Sequence, residues 1–504
     1  MKNFLIQKNY QIKSPCIDEV LFNSDLTTMN RTKNIFSIVF LLAAFLIFGC
    51  RSTQTAQQDL VRMPEFFEGS RDTLTSASRS WKEYFKDPAL TGLIDTALKN
   101  NLDLLMAFQR IESARSNVRL SKGAMLPAVS AYASATQRKF GLYTMDGAGN
   151  ITTPIDGEQL VPIHLPDYYV GFQTSWELDV WGKLRSRKVA ALSRYLASVE
   201  GRNWTITNMI TEVASNYYEL LSLDQQLDII RETIALQENA FDIITIQKQA
   251  GMANELAVQQ FEAQFINSKT LELEIKQNII ETESRLNFLL GRYPQTISRD
   301  KEIFTASIPV NPNVGLPSDL LRFRPDIKQA ELDLLAAKAD VKSARAAFYP
   351  SFNITGSYGF QAFKTAYLFT SPQSTAYTLL GGLTAPLINR SAIKAEFRNA
   401  KAGQIEALYN YQKAVLNGYI EVYNEMLSIR NLDTVYSLKN REVELLSQSI
   451  ETSSELFRTG RANYLEIIVT QQKALQSKLE LVNVKKRQFD STLNLYKALG
   501  GGWQ

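Results

Sequence analysis

Apolar and polar residues follow two different periods along this chain. From Trp81 the apolar positions recur at helical spacing, through Leu90, Leu93, Ile94, Ala97 and Leu98. An amphipathic stretch then runs to about Ala124 and is stopped by Pro127. Beyond it the period falls to two. Val170, Phe172, Thr174, Trp176 and Leu178 alternate with Gly171, Gln173, Ser175 and Glu177, and Phe352, Ile354, Gly356, Tyr358 and Phe360 alternate with Asn353, Thr355, Ser357, Gly359 and Gln361. Weaker alternation, rich in Ala and Gly, covers Val129 to Lys139 and Tyr377 to Ala385. The pattern predicts four strands in two hairpins, joined by polar loops at 141–168 and 365–375. Between and after the hairpins the helical period returns. Lys183 to Ala250 is 68 residues with one Gly and no Pro, or ~100 Å of helix. It turns at Gly251 and comes back over Met252 to Leu290. Ser391 to Thr459, a turn at Gly460, and Arg461 to Leu499 repeat that plan.

The chain is internally duplicated. Asp103, Ala107, Ala114, Val118, Ala124 and Pro127 become Asp326, Ala330, Ala337, Val341, Ala347 and Pro350 at an offset of 223. Gly251, Ala253, Asn254 and Leu256 become Gly460, Ala462, Asn463 and Leu465 at an offset of 209, as do Leu290–Gly291 and Leu499–Gly500. A repeat this long implies a pseudo-symmetric architecture. Each unit reads helix, strand, strand, long helix, shorter helix, with the units at 81–291 and 325–504 and an irregular connection at 292–324. The returning helices cover only ~58 Å, and the next unit's first helix supplies a further ~35 Å. The expected use is side-by-side packing into a long wall. The strands have the length of tilted transmembrane strands, ~9–11 residues, and Trp176, Tyr358, Phe360 and Tyr377 lie near their ends as an interfacial girdle would. Four strands cannot close a barrel, and an open edge in lipid strands backbone groups without partners. A barrel therefore has to be built from several copies.

The N-terminus stands apart. Ile35 to Phe48 is apolar, follows Arg31 and Lys33 and precedes Gly49–Cys50, as in a bacterial secretory signal over 1–49. The Leu46–Ile47–Phe48–Gly49–Cys50 end is similar to a lipoprotein signal, which makes Cys50 the lipidation site. Met29 just ahead of the basic residues suggests that 1–28 is a mis-assigned start. Residues 50–80, polar and without period, read as a tether. Removing five basic and three acidic residues with the signal takes the formal charge from +4 to +2. Near neutrality without a basic stripe argues against nucleic acid. His164 is the sole histidine, in a polar loop, and no phosphate loop or nucleophile elbow is found. The reading is of a protein that is not an enzyme and needs neither metal nor cofactor.

The motifs then resemble a known family. Trp81, Phe85, Asp87–Pro88–Ala89–Leu90, Asn101–Leu102–Asp103–Leu104 and Ser175 to Gly182 (SWELDVWG) are similar to those of the TolC/OprM outer-membrane efflux proteins. So are Leu316–Pro317, Arg324–Pro325–Asp326–Ile327, Ala330–Glu331 and Ala344 to Ser351 (ARAAFYPS). The similarity runs from Trp81 to the C-terminus and leans to the lipoprotein branch that serves resistance–nodulation–division (RND) pumps. It implies a mainly α fold with transmembrane β: a homotrimer whose four strands per chain form a twelve-stranded β-barrel, continued by a long periplasmic α-helical barrel. It implies partners as well, namely a periplasmic adaptor, an inner-membrane RND pump and outer-membrane lipid. The adaptor would meet the tips at Gly251–Met252 and Gly460–Arg461. By the same resemblance Glu466 is the pore-gate residue. The family's next acidic position is Val469, so the constriction expected is part carboxylate and part hydrophobic. Two other readings remain open at this point: the exit duct of a type I protein secretion system, and a lipid-anchored periplasmic coiled-coil scaffold.

Overall fold

The computed structural model describes residues 63–67, 74–156, 159–305, 313–388, 390–459 and 461–503. Cys50, the proposed signal segment and Gly460 lie outside them. Everything below belongs to one compact unit, Val61–Gln504.

Seven helices carry the fold: α1 Pro88–Asn100, α2 Leu102–Gly123, α3 Lys183–Gln249, α4 Glu255–Leu289, α5 Pro325–Ala346, α6 Ser391–Arg458 and α7 Tyr464–Ala498. Four strands form one sheet: β1 Ala128–Arg138, β2 Leu165–Leu178, β3 Ser351–Ala362 and β4 Thr375–Thr384. The long helices α3 and α6 span 67 and 68 residues. Each is flanked by a shorter antiparallel return (α4, α7) and by a first-helix partner (α2, α5), as the duplication requires.

Local chemistry explains the breaks. The helical pattern after Trp81 divides into a turn at Trp81–Tyr84, then α1, then α2. Asp87 caps α1 by accepting from the Ala89 amide at 2.8 Å, with Pro88 at its first position. Asn101 caps α2 by accepting from the Leu104 amide. At the far end of α3, Gly251 adopts φ +75° and its amide donates to Lys248, while the Met252 amide donates to Gln247. This left-handed cap satisfies carbonyls that the helix leaves without partners. Asn254 and Asn463 then start α4 and α7 as side-chain caps.

The main core lies around the middle of the helical wall. Trp81, Tyr84, Phe85, Leu90 and Ile94 pack on Ile210, Tyr217 and Leu221 of α3 and on Phe489 and Tyr496 of α7. Tyr84 stacks on Tyr496 at 4.1 Å and Tyr218 on Phe489 at 4.4 Å, geometries that add to simple burial. Phe67, inside the segment read as a tether, is buried against Tyr419 at 5.1 Å.

The sheet order is β1-β2-β3-β4, antiparallel throughout. Strand β2 starts at Leu165 rather than Val170, because Arg138 and Gln137 of β1 pair with Leu165 and Pro166. Pro166 and Asp167 had hidden that extension by interrupting the alternation. The predicted polar loop at 141–168 is correspondingly shorter, and it contains a helix at Met145–Thr152.

Candidate functional site: the sheet faces and the hairpin tips

The register sorts the alternating residues into two faces. On one, Ser130 lies opposite Gln173 and Gln173 opposite Ser357, which in turn faces Thr378; Ser175 faces Thr355 and Glu177 faces Asn353. On the other, Ala131 faces Phe172, Phe172 faces Tyr358 and Tyr358 faces Tyr377; Trp176 pairs with Ile354 and Phe352 with Leu383. The second face is exposed at Phe172 (59%), Tyr358 (60%), Tyr377 (79%) and Leu379 (77%). A broad apolar face backed by a polar one suits a wall between lipid and an aqueous lumen. β1 and β4 are the edges of the sheet, and each presents one row of backbone groups to a further strand.

The sheet is fixed to the helices at its lower rim. Trp176 Nε1 donates to the Met125 carbonyl at 3.0 Å, and Trp181 Nε1 donates to that of Pro350 at 2.7 Å. Asp179 bridges β2 and α3: its carboxylate accepts from the Leu184 and Arg185 amides, each at 2.8 Å, and from Arg185 Nε at 3.1 Å. Burial pushes the Asp179 carboxyl up, but those amides and the guanidinium outweigh it, and the net shift is downward. Lys183 Nζ meets Glu177 on the polar face at 2.7 Å.

At the other end of the helices, the structure places Gly251 and Met252 at one hairpin turn and Arg461 at the other. Met252 is 79% exposed. Glu466 sits exposed in the first turn of α7, and Val469 is one turn on. Both line a groove of about 640 Å³ with Leu445, Ser449, Ser453 and Leu456 of α6 and with Thr470.

The duplication gives that groove a counterpart. Counting back 209 residues, Ser449, Ser453, Glu466 and Thr470 correspond to Ala240, Ile244, Ala257 and Phe261. In the first hairpin these four belong to a sealed apolar cluster, with Val258 and with Ile468 of α7. The same fold position is thus wholly apolar and covered in one repeat, and in the other open, with Ser449, Ser453, Glu466 and Thr470 set among leucines and Val469. The sequence singles out Glu466 and Val469; aligning the two hairpins residue by residue is the signal that finds the rest.

Arg324 belongs to the Arg-Pro-Asp-Ile motif, whose part is structural. Its side chain is fully buried, pairs with Asp326 and Glu421 at 2.7 Å each, and donates to the Ala498 carbonyl at 2.9 Å. Trp204 covers it at 5.3 Å. One guanidinium thereby ties α3, α5, α6 and α7 together.

Known proteins bear the same marks. The family model described as outer membrane efflux protein matches residues 93–292 and again 316–501. The solvent efflux pump outer membrane protein SrpC of Pseudomonas putida is 27% identical over 477 residues, 93% of this chain and 98% of that one. The probable outer membrane lipoprotein SilC of Salmonella typhimurium is 27% identical, over 91% of this chain and 97% of its own. Among solved structures, the open state of the MtrE outer membrane channel of Neisseria gonorrhoeae superposes with a TM-score of 0.75 at 25% identity. That match covers 88% of this chain and 96% of MtrE.

Proposed function

The chain belongs to the outer membrane efflux protein family and is an outer-membrane efflux channel rather than an enzyme. From that premise we propose that three copies close one twelve-stranded barrel and serve as the exit duct of a tripartite RND-type efflux assembly. The observation that carries this is the four-stranded sheet, one face apolar and exposed, the other polar, with two edges awaiting strands. In lipid such a sheet is tolerable only when closed. The edge β4 of one copy meets β1 of the next, and the helices continue the ring below.

Transport is passive. The pump supplies energy, a periplasmic adaptor docks at the tips around Gly251, Met252, Gly460 and Arg461, and small molecules leave through the lumen without a high-affinity site. Lipidation at Cys50 adds an anchor, a reading supported by the leader-like sequence and by the name of the Salmonella relative. The repeats at 81–291 and 325–504 divide the labour. The first hairpin carries the covered apolar cluster, whereas the second, with Glu466 and Val469 in an open groove of mixed lining, forms the constriction. Three Glu466 carboxylates on one axis attract cations and repel anions.

The test is single-channel recording in planar bilayers. Glu466→Ala is expected to raise conductance and weaken block by divalent cations. Conductance and block both unchanged would remove Glu466 from the gate. The type I secretion alternative shares this duct. Crosslinking in native membranes separates the two, since an ATP-driven transporter captured near Met252 in place of an RND pump would favour secretion.

A further inference from the structure

A concentration of positive charge lies on the helices just beneath the sheet, and the channel reading gives it no task. On α5, Lys338, Lys342 and Arg345 follow one another at i, i+4 and i+7; on α6, Lys394, Arg398 and Lys401 do the same. That spacing puts each triplet on one helical stripe. All six are exposed. The two stripes adjoin, because Arg345 lies over the Phe397 ring, between Lys394 and Lys401, at 6.0 Å. The two triplets are 49 residues apart in sequence at their nearest, so the linear chain does not show them as one patch.

The structure also fixes which way they face. Glu177 shares its strand face with Gln173 and Ser175, the polar side, and holds Lys183. Lys183, Arg187 and Arg194 follow one stripe of α3. Arg187 and Arg194 line a groove of about 700 Å³ with Ala337, Asp340 and Ala344 of α5 and with Asn399 of α6. The groove therefore lies on the lumen side, and the six cations, on the opposite sides of α5 and α6, face outward. Asp340 is engaged by Arg194 in that groove, which Glu396 of α6 lines as well. Among the described residues, no carboxylate pairs with any of the six.

Arg345, in the last turn of α5, complements the dipole of that helix, but the placement on α6 does not serve its helix. Lys394 and Arg398 stand near the positive end of α6, whose first turn carries no acid, and cations there oppose the helix dipole. Repulsion among six close cations adds to that cost. The first repeat keeps part of the pattern: Arg115, Arg119 and Lys122 are the mates of Lys338, Lys342 and Arg345 at the offset of 223, and Arg185 is the mate of Lys394 at 209. Arg398 and Lys401, by contrast, have Val189 and Leu192 as mates, and Arg115 and Arg185 pair with Glu112 and Asp179.

We propose that these residues form an outward basic collar that binds anionic phospholipid headgroups of the leaflet bordering the periplasmic rim of the barrel. Arg345 is in the last turn of α5, six residues before β3 begins at Ser351. The apolar sheet face stops at the same rim. Long cationic side chains there can reach up to the headgroups while their stems stay on the helix. Lipid with net negative charge is the fitting partner, since each cation near such a surface adds attraction that falls away within a Debye length. The inference rests on the barrel reading for its inside and outside.

The experiment uses the full chain, reconstituted in bilayers of equal parts phosphatidylethanolamine and phosphatidylglycerol, extracted gently and weighed by native mass spectrometry. The wild type is expected to retain phosphatidylglycerol over phosphatidylethanolamine by about tenfold, and rising salt should erase the preference. The variant Lys338→Gln, Lys342→Gln, Lys394→Gln, Lys401→Gln should lose most of it. Equal neutralisation near the tip (Lys269, Lys276, Lys473 and Lys478 to Gln) should leave it intact. Equal retention of both lipids by the wild type, a preference indifferent to salt, or an undiminished preference in the collar variant would overturn the proposal. Should the collar variant fail to assemble, the wild-type salt series still decides. An oligomer without lipid preference defeats the collar alone, whereas anionic retention by a monomer defeats the barrel, and with it the outward placement, and leaves only the lipid contact of these cations.

Discussion

Asp179 and Arg324 hold junctions that many other residues depend on. Asp179 closes the first turn of α3 where β2 ends, and its carboxylate is engaged only in the folded chain. Asp179→Asn is expected to cost about 1 kcal/mol at neutral pH, in the range of lost helix caps, seen as a lower melting temperature. The sign with pH follows from the depressed folded-state pKa. The contribution is complete above the ordinary carboxyl value of 3.8 and is lost as pH falls through the lower folded value. Wild type and variant should therefore converge in strong acid. A difference that persisted there would assign the effect to shape rather than charge. Arg324 is the heavier case. Burial pushes its guanidinium down, but Asp326 and Glu421 outweigh that and hold it charged. Arg324→Ala leaves two carboxylates facing a hole, with an expected loss of about 3–5 kcal/mol. A thermal melt of the variant within a degree or two of wild type would contradict this account.

Between elements, the contrast is in how the two hairpins use equivalent positions. Ile244 is buried in the α3/α4 hairpin at 2% exposure, whereas its mate Ser453 borders the open groove of α6/α7. Ile244→Ala is expected to destabilise by about 2–5 kcal/mol, and Ser453→Ala to change stability by less than about 0.5 kcal/mol. Hydrogen exchange resolved by hairpin would check both, with faster exchange in the first variant centred on the tip of α3 and α4 and on the start of α7, where Ile468 joins the cluster. The lengths and order of these elements were legible in the sequence because helical and strand periods differ and because Gly251 needs a left-handed turn. The start of β2 was not, since Pro166 and Asp167 break the alternation while the backbone still pairs. The burial of Phe67 was equally invisible, because it depends on Tyr419, more than 300 residues away. At the tip, Glu466 could be picked out by motif. Ser449, Ser453 and Thr470 are ordinary polar helix residues until their apolar mates are seen to be covered.

For the whole molecule, closure is the central claim. A sheet with an apolar, exposed face and two open edges has no stable place in a bilayer as a single copy, and each edge can be completed by the other edge of an identical chain. That is a heterologous contact, and it closes into a ring only at one copy number. The measurement that tests it most directly is cysteine crosslinking between the edges. Ser130, Tyr132 or Ser134 of β1 would be paired with Ala376, Thr378 or Leu380 of β4, all on the polar face by register. The proteins would be oxidised in native outer membranes and resolved by mass. The account predicts that at least one pair gives a ladder of monomer, dimer and trimer that ends there, and that neither single cysteine does so. Monomer alone from every pair, or a ladder running past three, would contradict it.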